Sequence, residues 1–435
     1  MKAKIIGYGI SGKAAESYLE ARGIETIVVA DAKEKVSGDY DFCVVSPGVP
    51  QDDLKDEIVP IVPEVELPFF CEKKLKPRYL VAVTGTNGKT TIVNLIHRMC
   101  TLAKKKSVLC GNVGVPVSRV ANKLSKAIAI FEISSFMLEQ TNLLHPQIAV
   151  ISNITPDHLD RHHTMEEYIR CKAKIIEQQT KNDYLVINWD NTNTRMLGMT
   201  VERSKKVNVI WYSTHEVVNG YYLHNGEVWE KLGRRTKCLG SATAFSNMEH
   251  VISNVLAVIA VGRRLRLSTS VIWQACEYKS QRHRMELVAD FDGVAFYNDS
   301  KATNMASTLA ALSAIKMPTC LILCGLSKGQ DYRELLTQLP EHVIQVFVFG
   351  SIKEQVLSVA QSLELSQIKS VLNLKDAVKN AMQCLTRPGV VLFSPSGSSF
   401  DSFINYQHRG DEFCKIVQDI IGRKPQYLPL VDGNL

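Results

Sequence analysis

Apolar residues in this chain come in short runs rich in β-branched side chains. Each run stops at a polar or glycine-bearing turn, and a stretch with helical spacing follows. The first runs are Ile5-Ile6, Thr26 to Ala30 and Phe42 to Ser46, with a helical pattern through Arg22 after the first. The rhythm resumes at 79–83, 107–110, 127–133 and 148–153, and again at 319–324, 345–349, 370–372 and 390–394. Strands alternating with helices predict an α/β fold of mostly parallel sheets. The stretch from Tyr221 to Trp229 breaks this pattern. Its Asn225-Gly226 pair between apolar arms predicts a small antiparallel insertion, ahead of a helix over 251–262. Three domains are expected, over residues 1–77, 78–277 and 278–435, with 278–285 as a hinge.

Length agrees, since 435 residues exceed what one core holds. With 45% hydrophobic and 22% charged residues and no low-complexity segment, the whole chain is expected to fold. No apolar run nears the roughly 18 residues of a membrane span, and the N-terminus lacks the apolar core of a signal peptide. Eleven cysteines without a C-x-x-C pair fit reduced thiols in a cytoplasm. Cys320 and Cys324 fall in an apolar strand pattern, which predicts burial rather than metal binding. The net charge of +7 is dispersed, and Lys104-Lys105-Lys106 falls where a helix should end. Neither a nucleic-acid surface nor a membrane partner is expected; a mildly basic protein suits polyanions such as nucleotides.

The densest chemistry follows the run Tyr79–Val83. Thr84-Gly85-Thr86-Asn87-Gly88-Lys89-Thr90-Thr91 joins that strand to a helical pattern from Ile92 to Lys104. Such a turn aims backbone N–H groups and a helix N-terminus at phosphate. Gly85 and Gly88 permit close approach, Lys89 can neutralise β/γ-phosphates, and the Thr90 hydroxyl can bind Mg²⁺. ATP is the ligand this predicts. The loop is shorter than the common P-loop, which needs glycine where Val83 stands.

At the N-terminus, Gly7, Gly9 and Gly12 match a dinucleotide fingerprint, with Asp31 either a ribose contact or an ordinary turn acid. The unit ends too soon for a full dinucleotide fold, so one phosphate-bearing nucleotide fits better. Glu132 ends a buried run, where it can ligate Mg²⁺ beside Thr90 or cap a helix. His158, in Asn153 to His162, can coordinate a second metal or contact substrate. Asn298-Asp299-Ser300-Lys301-Ala302-Thr303-Asn304 can hold a ribose and oxyanions, and His283-Arg284 supplies a cation near the hinge. The turns Cys324–Lys328 and Ser394–Asp401 each follow a strand and can bind a carboxylate.

Read together and in order, these motifs resemble the Mur ligases over nearly the whole chain. The short loop, the Ser-Ser-Phe after Glu132, the Leu-Asp-Arg-His block and the short first domain resemble the branch that adds D-glutamate. The resemblance implies a Rossmann-like N-terminal unit, a central P-loop ATPase-type sheet and a Rossmann-like C-terminal domain. It implies a monomeric enzyme that uses ATP to join D-glutamate to UDP-N-acetylmuramoyl-L-alanine in peptidoglycan precursor synthesis. Ile10, Ser11, Asp31, Ser46, Gly48 and Asn112 would contact the UDP-substrate. Gly85, Thr86, Asn87, Gly88, Lys89, Thr90, Thr91, Asn254, Arg284 and Asp299 would bind ATP. Thr90 and Glu132 would hold one Mg²⁺, and His158 with a carbamylated Lys172 a second. Thr303, Lys328, Ser399 and Phe400 would hold D-glutamate. Lys89, His158, Lys172 and Arg284 would be catalytic.

Three positions depart from the family pattern. His250 is followed by Val251 where an asparagine is usual, Met137 replaces a glutamine, and Leu326 stands where a polar residue is frequent. The rival readings are a folylpolyglutamate synthetase-like ligase, an NAD-dependent dehydrogenase and a regulatory ATPase. The first has no use for the Gly7–Gly12 turn, and the second leaves Gly85–Thr91 unexplained. The third predicts nucleotide turnover indifferent to amino acids.

Overall fold

The computed structural model describes residues 1–30, 39–242, 245, 249–276, 282–327 and 329–422. The chain forms two compact units, Met1–Thr155 with Arg161–Glu277, and Pro156–Asp160 with Tyr278–Leu435.

The first unit contains two sheets. Strands β1 (Lys2–Ile6), β2 (Glu25–Val29), β3 (Phe42–Val45) and β4 (Ile61–Pro63) make an all-parallel sheet in the order β2-β1-β3-β4. Ala3, Ile5, Phe42 and Val44 pack with Leu19 and Leu67 on one face, and Ile6, Cys43 and Val45 with Leu54 on the other. Burial on both faces explains why β3 is continuously apolar instead of alternating. This sheet holds four strands among the described residues, without the second half that a dinucleotide fold requires.

The second sheet comprises β5 (Tyr79–Thr84), β6 (Ser107–Gly111), β7 (Ile128–Glu132), β8 (Ile148–Ile151), β9 (Tyr184–Asn188), β10 (Asn208–Ser213), β11 (Gly220–His224), β12 (Glu227–Leu232) and β13 (Arg235–Ser241). Its order is β13-β12-β11-β10-β9-β8-β5-β7-β6, parallel except at β11-β12-β13. Asn225 and Gly226 take φ of 50° and 75°, as a two-residue hairpin with a type I′ turn requires. The antiparallel insertion is therefore continuous with the sheet, because β11 pairs parallel with β10. Helix Lys89–Leu102 buries Ile92, Val93, Ile96 and Met99 and packs against helices Glu249–Arg264 and Thr269–Cys276.

The second unit is built on β14 (Glu286–Phe291), β15 (Val294–Asn298), β16 (Thr319–Cys324), β17 (Val343–Val348), β18 (Ile368–Ser370) and β19 (Gly389–Ser396), in the order β14-β15-β19-β16-β17-β18. All pairs are parallel except the β14–β15 hairpin. Cys320 and Cys324 are buried, as the apolar pattern predicts. The strands β4, β9, β10, β13, β14 and β15 are absent from the expected ones. Asp292-Gly293 at the tip of the β14–β15 hairpin does carry an Asp-Gly turn signal. Among the described residues no helix is long and apolar enough to cross a membrane.

Candidate active site

The central sheet presents Gly85–Thr91 at the carboxyl end of β5, between its neighbours β7 and β8. Gly85 has φ of 143°, and a Cβ there would lie 1.9 Å from Ser152 Oγ. Gly88 has φ of 86°, and its Cβ would meet Asn254 Oδ1 at 2.3 Å. Both glycines are thus required by backbone conformation and by close neighbours. The loop is tied down by Thr86 N–H donating to Asn153 O (2.8 Å) and Asn87 N–H to Asn153 Oδ1 (2.9 Å). Gly88 is the N-cap of helix Lys89–Leu102 and brings no capping side chain. That leaves the helix N-terminus suited to an anion.

Two lysines converge on this loop. Lys89 Nζ donates to Gly85 O (2.7 Å) and Thr86 O (2.8 Å), and Lys172 Nζ donates to Gly85 O (3.1 Å). Lys172, on helix Met165–Ala173, is 1% exposed and lies 4.5 Å from the centre of the Tyr168 ring. Tyr168 OH in turn is 3.2 Å from Thr86 Oγ1.

Glu132 ends β7 opposite Val83. Its Oε1 accepts from Asn112 Nδ2 (2.8 Å), while its Oε2 is buried and has no hydrogen-bond partner. An unsatisfied buried carboxylate oxygen calls for a donor or a cation, and the position fits a Mg²⁺ ligand better than a helix cap. Ser134 caps the next helix, accepting from Met137 N–H. Among the described residues no three His, Cys, Asp or Glu side chains cluster as a metal-ligand set. A cation at Glu132 would complete its shell with hydroxyls, phosphate oxygens or water.

In the first sheet, β1 leads into the turn at Gly7 and then helix Ile10–Glu20. A Cβ on Gly12 would sit 2.1 Å from Gly7 O, whereas one on Gly9 would meet nothing within 4 Å. Gly12 serves close packing, and Gly9 leaves open space beside the helix start. Ser46 Oγ donates to Gly7 O (2.7 Å), joining the two turns. Ile10, Gly48 and Asn112 are exposed, and Ser11 is half-buried. Asp31 lies outside the described residues.

In the second unit, His158 stands in a left-handed conformation (φ 55°), its Nε2 3.7 Å from Asp157 Oδ2, which accepts from Asn304 Nδ2 (3.3 Å). Arg284 is flanked by His283 and Met285, both at positive φ (64° and 45°). This strained segment is pinned by Lys301 N–H to His283 O (2.9 Å), Met285 N–H to Asp299 Oδ1 (3.2 Å), and Asn298 Nδ2 to His283 Nδ1 (3.0 Å). Burial lowers the His283 pKa, in keeping with a neutral ring accepting from Asn298. Asp299 is buried, and burial raises its carboxyl pKa to about 7, against the opposing effects of the Ser394 hydroxyl and Arg284.

The turns after β16 and β19 lie side by side, because Leu326 and Ser398 exchange backbone hydrogen bonds of 2.8 and 3.0 Å. Ser396 N–H donates to Ala302 O (3.0 Å), which brings Thr303 to the same end of the sheet. Ser399 is buried and Phe400 exposed; Lys328 lies outside the described residues. Arg409, absent from the expected site residues, organises this end. It is fully buried, donating to Ser300 Oγ (3.0 Å), Ser300 O (2.8 Å) and Gly397 O (2.9 Å). Its signal is in the sequence: Arg409 shares the apolar stripe of Phe413, Ile416 and Val417 on helix Tyr406–Ile421.

Residues 83–262 match the Mur ligase middle domain and residues 283–397 the Mur ligase glutamate ligase domain. The chain is 32% identical to the UDP-N-acetylmuramoylalanine–D-glutamate ligase of Koribacter versatilis, over 95% of this chain and 96% of that one. It is 34% identical to the enzyme of the same name from Pediococcus pentosaceus, over 92% and 88%. Among solved structures it is similar to the MurF ligase of Thermotoga maritima in complex with ADP (TM-score 0.59, 16% identity, 97% and 95% covered). A pseudomurein peptide ligase type C from Methanothermus fervidus is also similar (TM-score 0.60, 16% identity, 96% and 99% covered). At such identity these two structures speak for the fold alone. The chain belongs to the Mur ligases and, within them, to the UDP-N-acetylmuramoylalanine–D-glutamate ligases.

Proposed function

We propose that the protein is an ATP-dependent carbon–nitrogen ligase that joins D-glutamate to UDP-N-acetylmuramoyl-L-alanine through an acyl phosphate, releasing ADP and phosphate. The observation that carries this reading is the phosphate loop held by Lys89 and Lys172 beside the buried, half-satisfied Glu132. The end-to-end likeness to D-glutamate ligases supplies the substrates.

In this reading the L-alanyl carboxylate attacks the γ-phosphate in line, and its C–O–P bond forms as ADP departs. Lys89 and Arg284 spread the developing charge. The amine of D-glutamate then attacks the acyl carbon, the tetrahedral intermediate loses a proton and collapses, and phosphate leaves. Mg²⁺, held by Thr90 and Glu132, would neutralise phosphate charge. Lys172 as a carbamate, with His158, would make the second cation site; its burial against the loop supports a role there. Ile10, Ser11, Asp31, Ser46, Gly48 and Asn112 would contact the UDP-substrate. Gly85 to Thr91, Asn254 and Asp299 would hold ATP, and Thr303, Lys328, Ser399 and Phe400 would hold D-glutamate. The domain limits 1–77, 78–277 and 278–435, a monomeric state and a cytoplasmic setting belong to the same proposal. The described cysteines being free supports the last.

The test is phosphate release from ATP and Mg²⁺ with UDP-N-acetylmuramoyl-L-alanine, offering D-glutamate, L-glutamate, L-alanine, L-lysine or diaminopimelate separately. Release confined to D-glutamate, with the matching product mass, is expected. Release with every amino acid alike would leave an ATPase.

A further inference from the structure

Arg161 spans two parts of the first unit that are far apart in sequence. Its Nε and Nη2 donate to the two oxygens of Glu139 (3.1 and 2.6 Å), a forked pair whose side chains are 16% and 8% exposed. Nη1 also donates to Gly48 O (3.2 Å) and Nη2 to Val49 O (2.7 Å). These carbonyls belong to the Ser46–Val49 turn after β3, whose Ser46 reaches back to Gly7. Glu139 is itself fixed, its N–H donating to Ser135 O (3.1 Å) and its carbonyl accepting from Lys174 Nζ (2.5 Å). The adjacent His162 bonds Ser135 Oγ (2.9 Å) and lies against the rings of Phe136 and Tyr168. Tyr168 in turn meets Thr86 of the phosphate loop. One contiguous set of polar and ring contacts therefore runs from the Ser46–Val49 turn to the ATP loop.

We infer that Arg161, held by Glu139, is a positioning residue that sets the Ser46–Val49 turn for the UDP-sugar. This rests on the proposed reading of that turn as a UDP-substrate contact. A planar guanidinium can satisfy a carboxylate and two carbonyls together, which a lysine ammonium on a flexible stem cannot do in the same geometry. Without it, the turn loses two donors and the poorly exposed Glu139 loses its forked partner, keeping His162 Nδ1 at 3.7 Å.

The experiment compares wild type, Arg161→Ala and Arg161→Lys by calorimetric binding of UDP-N-acetylmuramoyl-L-alanine and of ADP, with KM and kcat measured alongside. Arg161→Ala is expected to weaken UDP-substrate binding about tenfold or more while ADP affinity stays within about twofold. If Arg161→Ala does not fold, Arg161→Lys decides, since it keeps the charge beside Glu139 but not the fork. Selective weakening of UDP-substrate binding there supports the inference. Wild-type affinity in either folded variant overturns it, as does a parallel fall in ADP affinity. A wild-type protein that binds ADP but no UDP-muramoyl-alanine would overturn the functional reading beneath it.

Discussion

Lys89 lies where its charge can act, with its ammonium drawn onto the Gly85 and Thr86 carbonyls. Replacing it with alanine should lower turnover by roughly 10²–10³, the size expected when one preorganised charge is removed. Steady-state kinetics with a folded Lys89→Ala protein would show this, and near-normal kcat would remove the residue from the mechanism. Lys172→Ala should also be impaired, with short carboxylic acids restoring part of the rate if they fill the space of a carbamate. No rescue, and full activity at low CO₂, would count against the modification. Asp299 makes a stability prediction. Its folded pKa of about 7 exceeds the ordinary 3.8, so from about pH 4 to 7 the folded state keeps a proton that the unfolded chain has released. Its contribution is therefore largest below the unfolded pKa and declines as pH rises through that window, by at most about 4 kcal/mol. Denaturant titrations at pH 5 and 7 should find a shallower decline in Asp299→Asn than in wild type.

Residues such as Lys89, Glu132 and Arg284 are legible in sequence because they follow or adjoin strand ends with unusual local composition. Arg161 and Arg409 are not legible in that way, since their partners at Gly48, Val49, Ser300 and Gly397 come from distant segments.

At the level of elements, glycines decide how strands hand over to helices. A Cβ at Gly12 would collide with the Gly7 carbonyl, and backbone cannot rotate aside as a side chain can. Gly12→Ala should force helix Ile10–Glu20 away from β1, costing about 1–3 kcal/mol. Thermal melts, together with UDP-substrate and ADP binding, would check this: the first ligand should weaken and the second hold. Strands with continuous apolar runs, such as β5, β7 and β16, could be read from sequence because both their faces are covered. By contrast, β14 has a partly exposed burial pattern at the edge of its sheet, and β4 is three residues long, so neither gives a strong apolar signal.

For the whole molecule, the eleven cysteines offer a global check. All are free, most are buried, Cys71 and Cys238 are half-buried, and Cys384 is exposed. Burial raises the Cys171, Cys276, Cys320 and Cys324 thiols to about 12, so few thiolates are available at neutral pH. A thiol reagent should react quickly with Cys384 in the native protein and with all eleven cysteines after denaturation. Fast native reaction of the buried set would contradict the packing described above.

The sequence by itself determined the α/β class, the phosphate loop and the order of motifs along the chain. Each of these is written in neighbouring residues: an apolar run, a glycine turn, a helical period. Only the tertiary structure decided that the hairpin strands extend the central sheet, that the turns at Leu326 and Ser398 pair, and that Glu132 keeps one oxygen unsatisfied. It also decided that Arg161 and Arg409 donate to the carbonyls of turns from distant segments. The physical reason is that hydrogen-bond satisfaction in a core depends on which distant segments are brought together, and no local spacing encodes that.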